Sequence, residues 1–224
     1  MHLTVTRRLA VSALACALLL GGQRAQAQTW INWQSFAAGS ASGTIALGTG
    51  NLGVTYTGEV AGGATSTGYW NYAAYSSATA PNNPGSSGFV QLVGPSTGNT
   101  ITFSSPVNRV FFAIMSLGQG GRPVTYAFNQ AFTLLSQGPA SYGGCGTCLT
   151  ASGNSITGAE GDGVLMFQGP VTSLSFDVVG NEYFHGYTVG VDALAVTATP
   201  EPASLALLAS GLLALAPLAR RRRA

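Results

Sequence analysis

The feature that most restricts this chain is an alternation of apolar and polar residues with period two, cut at short intervals by Gly, Pro, Asn and Ser clusters. In residues 171–178, Leu174, Phe176 and Val178 share one side of an extended chain, and residues 189–196 separate into two faces in the same way. No stretch between residues 28 and 199 repeats its apolar residues at the 3.6 spacing of a capped helix. This segment is expected to fold as short strands joined by turns. Strands are predicted over residues 43–49, 52–59, 89–93, 100–104, 109–117, 124–128, 132–136, 163–168, 172–179 and 187–197. Residues 109–117 are nearly continuous in apolar side chains, as a central strand covered on both faces requires. About ten strands at this spacing predict an all-β fold, a β-sandwich with jelly-roll-like connections, with a single barrel as the alternative. Residues 61–88, rich in Gly, Ser, Ala and Asn, read as a long decorated loop with at most a short strand.

Charged residues make up only 7% of the 224 residues, and there is no Lys. Soluble domains carry about 25%. Low charge alone does not mean disorder, which needs low hydrophobicity as well; here 46% of residues are hydrophobic. The charges are also segregated. Between residues 28 and 199 the cations are Arg109 and Arg122, against Glu59, Glu160, Asp162, Asp177, Glu182 and Asp192, so the body counts 2 − 6 = −4. A neutral to mildly acidic body excludes nucleic acid, which binds clustered Lys and Arg.

The two ends read as addresses. Arg7 and Arg8 precede an apolar run over residues 9–22, and Ala25-Gln26-Ala27 offers small residues to a signal peptidase. Cleavage is expected between Ala27 and Gln28, and Cys16 leaves with the signal. At the other end Thr199-Pro200-Glu201-Pro202 leads into 17 apolar residues, 203–219, and then Arg220, Arg221, Arg222 and Arg223. That run reaches the short limit of a transmembrane helix. The arginines hold its end in the cytoplasm and leave the body on the far side of the cytoplasmic membrane. The expected organisation is a signal peptide over 1–27, an extracytoplasmic β domain over 28–198, and a sorting and anchor segment over 199–224.

The order Pro200-Glu201-Pro202, then Ser204-Leu205-Ala206-Leu207-Leu208, then terminal arginines resembles the PEP-CTERM sorting signal of Gram-negative bacteria. The resemblance implies an exosortase as partner, a membrane protease-transpeptidase that cuts near the Pro-Glu-Pro. It also implies delivery to the cell surface or extracellular matrix, often alongside exopolysaccharide and biofilm genes. The body resembles the extracellular β domains that precede such tails. The matching residues are Trp30-Ile31-Asn32-Trp33, Val54-Thr55-Tyr56-Thr57-Gly58-Glu59, Pro106-Val107-Asn108-Arg109-Val110-Phe111-Phe112-Ala113, Gly158-Ala159-Glu160-Gly161-Asp162-Gly163 and His185-Gly186-Tyr187-Thr188-Val189-Gly190-Val191. That resemblance carries no catalytic motif.

Within the body, Cys145 and Cys148 form a C-x-x-C pair in a Gly-rich loop. In an exported protein this predicts a disulfide; a redox pair or half of a metal site are the alternatives. No cofactor is expected, with structural calcium on Glu160, Asp162, Asp177 and Asp192 as a weak candidate, set against the plainer reading of solvated turn carboxylates. His185 is the sole histidine once His2 leaves with the signal, no G-x-S-x-G elbow is present, and six scattered acids are a poor basis for catalysis. His185 is therefore expected at an exposed turn or strand edge, and the chain is expected not to be an enzyme. Among the aromatics Trp30, Trp33, Tyr69, Trp70, Tyr72, Tyr75, Tyr142, Tyr183 and Tyr187, the cluster Tyr69, Trp70, Tyr72 and Tyr75 is the candidate for stacking on sugar, and Trp30 and Trp33 are expected in the core. The expected function is a non-enzymatic surface or matrix protein; the alternatives are a carbohydrate-binding module for exopolysaccharide and, more remotely, a polysaccharide-active enzyme.

Overall fold

The computed structural model describes residues 27–48 and 50–194. The signal segment, the apolar run 203–219, Pro200, Glu201, Pro202 and Arg220 to Arg223 lie outside the described residues. Among the described residues no helix is long and apolar enough to cross a membrane.

Thirteen strands build the body: β1 (Thr29–Trp30), β2 (Asn32–Ala37), β3 (Ser40–Leu47), β4 (Gly50–Thr57), β5 (Gly62–Ser66), β6 (Ser87–Leu92), β7 (Ser96–Leu117), β8 (Val124–Phe128), β9 (Thr133–Gln137), β10 (Leu149–Ser152), β11 (Ser155–Gly158), β12 (Gly161–Val179) and β13 (His185–Val191). Every pairing is antiparallel, and the main path runs β10-β11-β8-β12-β7-β13-β6-β5. The path stays open at β5 and β10, so the barrel alternative does not hold.

β7 and β12 are long because they serve two layers. Residues 110–117 of β7 pair with the first half of β12 and with β13, while residues 100–103 pair with β4 and with the second half of β12. The second half of β12 goes on to β8, and its first half to β9. The ladder shifts register between Gln168 and Val171, where β12 carries Pro170, and again between Val171 and Ser173, where β7 carries Pro106. Proline has no N–H for the ladder, so strands bend or bulge there. The result is a sandwich-like fold with one ribbon running through both layers.

Between the layers lies an aromatic core. Phe112 stacks on Tyr187 with centroids 4.7 Å apart and meets Phe128 and Phe176 edge-on at 5.4 and 5.6 Å. Tyr56 and Trp33 reach the same Tyr187 ring at 5.5 and 6.5 Å. Offset and edge-to-face pairs add about 0.5–1.5 kcal/mol each beyond the area they bury. A second, smaller core covers the other face of the β7–β12 ribbon. Phe111, Ala113, Met115, Val164 and Met166 lie there under Trp70, Tyr75 and Ala80 from the connection between β5 and β6. Residues 110–117 are thus buried on both faces, as their nearly continuous apolar run requires.

The predicted strand over 124–128 matches β8. Predicted segments 100–104 and 109–117 join into β7, and 163–168 and 172–179 into β12, because partners on both sides carry the ladder across the turn-like residues between them. β1, β2, β10 and β11 were not expected, and β5 is the short strand allowed within residues 61–88. Their Ser, Thr, Gly and Ala residues give weak alternation, and neighbouring strands supply the pairing. The Gly153-Asn154 turn, closing Ser152 on Ser155, is the local signal for the β10–β11 hairpin.

Candidate functional site

The four aromatics proposed to contact sugar divide between surface and core. Tyr69 and Tyr72 are 39% and 42% exposed, whereas Trp70 and Tyr75 are fully buried. The Trp70 indole N–H donates to the Ser87 carbonyl at 2.8 Å, its ring meets Tyr75 edge-on at 4.9 Å, and the Tyr75 hydroxyl donates to Asp162 Oδ1 at 2.7 Å. Trp70 and Tyr75 therefore leave the candidate set: they cap the outer face of β7, where burying a large ring is worth about 1.5–3 kcal/mol. Two other rings join Tyr69. Tyr142, 44% exposed, lies 5.4 Å from Tyr69 and 4.8 Å from half-buried Phe184, with Phe89 packed beneath both Tyr69 and Phe184. Three separate loops thus build one solvent-facing aromatic cluster. Phe184 was missed because an isolated Phe beside Tyr183 reads as ordinary core. Tyr183 itself is exposed and lies under the Arg122 guanidinium at 5.8 Å.

The four carboxylates do not converge. Asp192 pairs with Arg109, whose Nε lies 2.6 Å from Oδ2. Asp177 accepts the Gly98 N–H at 2.8 Å. Glu160 accepts the Ser116 hydroxyl at 3.0 Å, and Asp162 Oδ1 accepts the Ser116 N–H at 2.9 Å as well as Tyr75. Asp162 and Asp192 are buried, which corrects the reading of all four as solvated. Among the described residues no group of three or more His, Cys, Asp or Glu is placed to hold a metal ion. Burial raises the Asp162 pKa from 3.8 to about 6; the Ser116 and Tyr75 hydrogen bonds pull it back, and Glu160 adds to the rise. Ser116 and Glu160 both adopt left-handed backbone, with φ of 53° and 62°, at this one place.

His185 is fully buried rather than exposed. Its Nδ1 lies 2.8 Å from Glu182 Oε1, and its ring packs 5.4 Å from Tyr126. The adjacent Glu59 carboxylate accepts the N–H groups of Val93 and Gly94 at 3.1 and 3.0 Å. These groups tie the turns after β4, β6 and β12 together. The expected disulfide between Cys145 and Cys148 is formed, with Cα atoms 5.2 Å apart, in the loop that carries Tyr142.

A groove of about 660 Å³ opens beside β1, bordered by β5 and by residues 82–87. Gln28, the residue expected to follow signal cleavage, is packed into its wall at 2% exposure, and Trp30, expected in the core, lines it half-buried. Trp33 is in the core as expected. The sequence held no local sign of this groove, because its wall comes from three separate segments.

Residues 198–223 match the family model for the PEP-CTERM protein-sorting motif. No curated protein and no solved structure gives a match to the chain. The matched residues include Pro200-Glu201-Pro202, the apolar run and the arginines, in the order the sorting machinery reads. The tail carries the PEP-CTERM protein-sorting motif, which makes this a PEP-CTERM domain-containing protein and indicates export to the cell envelope through an exosortase.

Proposed function

We propose that the protein is a non-enzymatic component of the cell surface or extracellular matrix that contributes to an exopolysaccharide matrix or biofilm. The tail carries this reading: a sorting motif joined to a β body whose exposed residues are mainly Ser, Thr, Asn and Gly, with few charges. Such a surface suits a hydrated, neutral polysaccharide environment, and it offers no basic patch for a polyanion. In this reading a signal peptidase cuts between Ala27 and Gln28, the 203–219 segment holds an inner-membrane intermediate, and exosortase then releases the body to the outside of a Gram-negative cell. The jelly-roll form of the fold is part of the proposal and rests on the β7–β12 ribbon shared by both layers. Fractionation and mass spectrometry of the C-terminus in hosts with and without exosortase test it. The expected result is a chain shortened near Pro200 in the first host and an intact membrane form in the second. An intact cytosolic chain in both would refute it.

A second reading, carbohydrate binding, is favoured by the cluster of Tyr69, Tyr142 and Phe184. Replacing Tyr69 and Tyr142 by Ala is expected to weaken retention on exopolysaccharide; unchanged retention counts against the cluster. The third reading, a polysaccharide-active enzyme, predicts turnover that disappears on replacing single acids.

A further inference from the structure

We infer that the groove beside β1 is a binding site for a neutral, hydroxyl-rich glycan chain. It shares a ligand class with the carbohydrate reading above and assigns it a different surface. Its volume, about 660 Å³, falls within the roughly 300–1,000 Å³ of small-ligand sites. Among the described residues thirteen line it, and none of their side chains is charged; cleavage before Gln28 adds one α-amino group at its edge. Side-chain amides come from Gln28, Asn32, Asn82 and Asn83, and hydroxyls from β1, β5 and the 86–87 segment. Each amide offers two donors and a carbonyl acceptor, which matches sugar hydroxyls that donate and accept at once. A charged ligand would lose water here without meeting an oppositely charged side chain.

The site is built rather than incidental. The Trp30 indole N–H donates to the Asn82 carbonyl at 2.9 Å, which fixes the ring. The ring also lies on the backbone of Gly190, where a Cβ would come within 2.9 Å of its Cδ2 and Cε3 atoms. One side of the indole is therefore held against β13, and the remaining half-buried ring lines the groove as a preset stacking surface. Gln28 is held by its amide N–H on the Asn82 carbonyl, while the Asn82 side chain donates to the Gln28 carbonyl at 3.3 Å. The Gln28 Oε1 atom is buried and has no hydrogen-bond partner among the described residues. An extended peptide on the free edge of β1 is the competing occupant, but nothing in the wall offers an apolar pocket for its side chains.

The test uses the full chain in detergent with ¹⁵N-labelled indoles and follows the three Trp side-chain signals. Added probes are a cello-oligosaccharide, an isomalto-oligosaccharide, an oligomannuronate and an Ala-Ser peptide. A neutral oligosaccharide is expected to shift the Trp30 signal, leaving those of buried Trp33 and Trp70 in place. Trp30→Ala is expected to weaken binding by about tenfold or more. Asn83→Asp keeps the acceptor for the Gly85 N–H and places a charge in the wall, so it tests the site even if the Trp30 variant does not fold. Tyr69→Ala with Tyr142→Ala is expected to leave this binding unchanged. Failure of both neutral probes, equal binding of the uronate or the peptide, or indifference to Asn83→Asp overturns the inference. Loss of binding through Tyr69 and Tyr142 alone would overturn it while leaving the aromatic-cluster reading in place.

Discussion

Asp162→Asn is expected to stabilise the protein at neutral pH and to flatten its response to acid. In the fold the Asp162 pKa stands at about 6, against an ordinary 3.8. The native state therefore holds a proton that the unfolded chain releases between these values. Stability is greatest below the lower value, falls as pH rises through the interval, and stays reduced above the upper one. A shift from 3.8 to about 6, at 1.36 kcal/mol per unit, corresponds to roughly 3 kcal/mol. Geometry supports the sign. Among the described residues Asp162 Oδ2 is buried with no donor of its own, and a Cβ on Gly144 would lie 2.8 Å from it, 2.7 Å from the Glu160 carbonyl and 3.3 Å from the Gly138 carbonyl. An Asn side chain keeps the acceptor for Tyr75 and Ser116 and turns an amide toward those carbonyls. The variant should exceed the parent by up to about 3 kcal/mol at pH 7, or about 6–12 °C in Tm, and by little near pH 3. Guanidinium unfolding followed by Trp fluorescence across that range measures the difference, in which other titrating groups cancel to first order. A difference that stays constant with pH, or that grows toward acid, refutes the linkage.

Phe112→Ala should cost about 3–5 kcal/mol in the same assay, because it empties the centre of the inter-layer core. Arg109→Met leaves buried Asp192 without its cation and should cost roughly 1–3 kcal/mol, less in high salt because Arg109 is partly exposed. Cys145→Ser should cost at most about 2 kcal/mol, since the bridge spans a sequence separation of 3; loss of folding would show a larger role. Gly144→Ala should unfold the local loop, because φ is 81° there and a Cβ meets three oxygens; proteolysis between residues 138 and 148 would report it.

The address, the all-β class and the central strand could be read from the chain because each rests on local pattern. The order of proline, apolar length and charge in residues 198–223 is a linear pattern that the family model matches without tertiary context. Period two fixes which residues of 171–178 share a face, and a nearly continuous apolar run such as 110–117 implies cover on both sides. The candidate sites were less legible. Tyr69 and Trp70 are neighbours in sequence, yet one faces solvent and the other fills the second core. Asp162 and His185 sit in segments that look like exposed turns, yet both are buried, Asp162 beside Tyr75 and Ser116 and His185 against Tyr126 as well as nearby Glu182. Burial of a given side chain depends on which strand packs above it, and that is set by long-range pairing.

The amino-acid order therefore determined strand-forming segments, export and sorting, since these depend on neighbours a few residues apart. The tertiary structure alone decided the two-layer use of β7 and β12, the Tyr69–Tyr142–Phe184 cluster and the groove beside β1. Each of these brings together residues tens of positions apart, and hydrogen-bonded pairing across that distance leaves no trace in local composition.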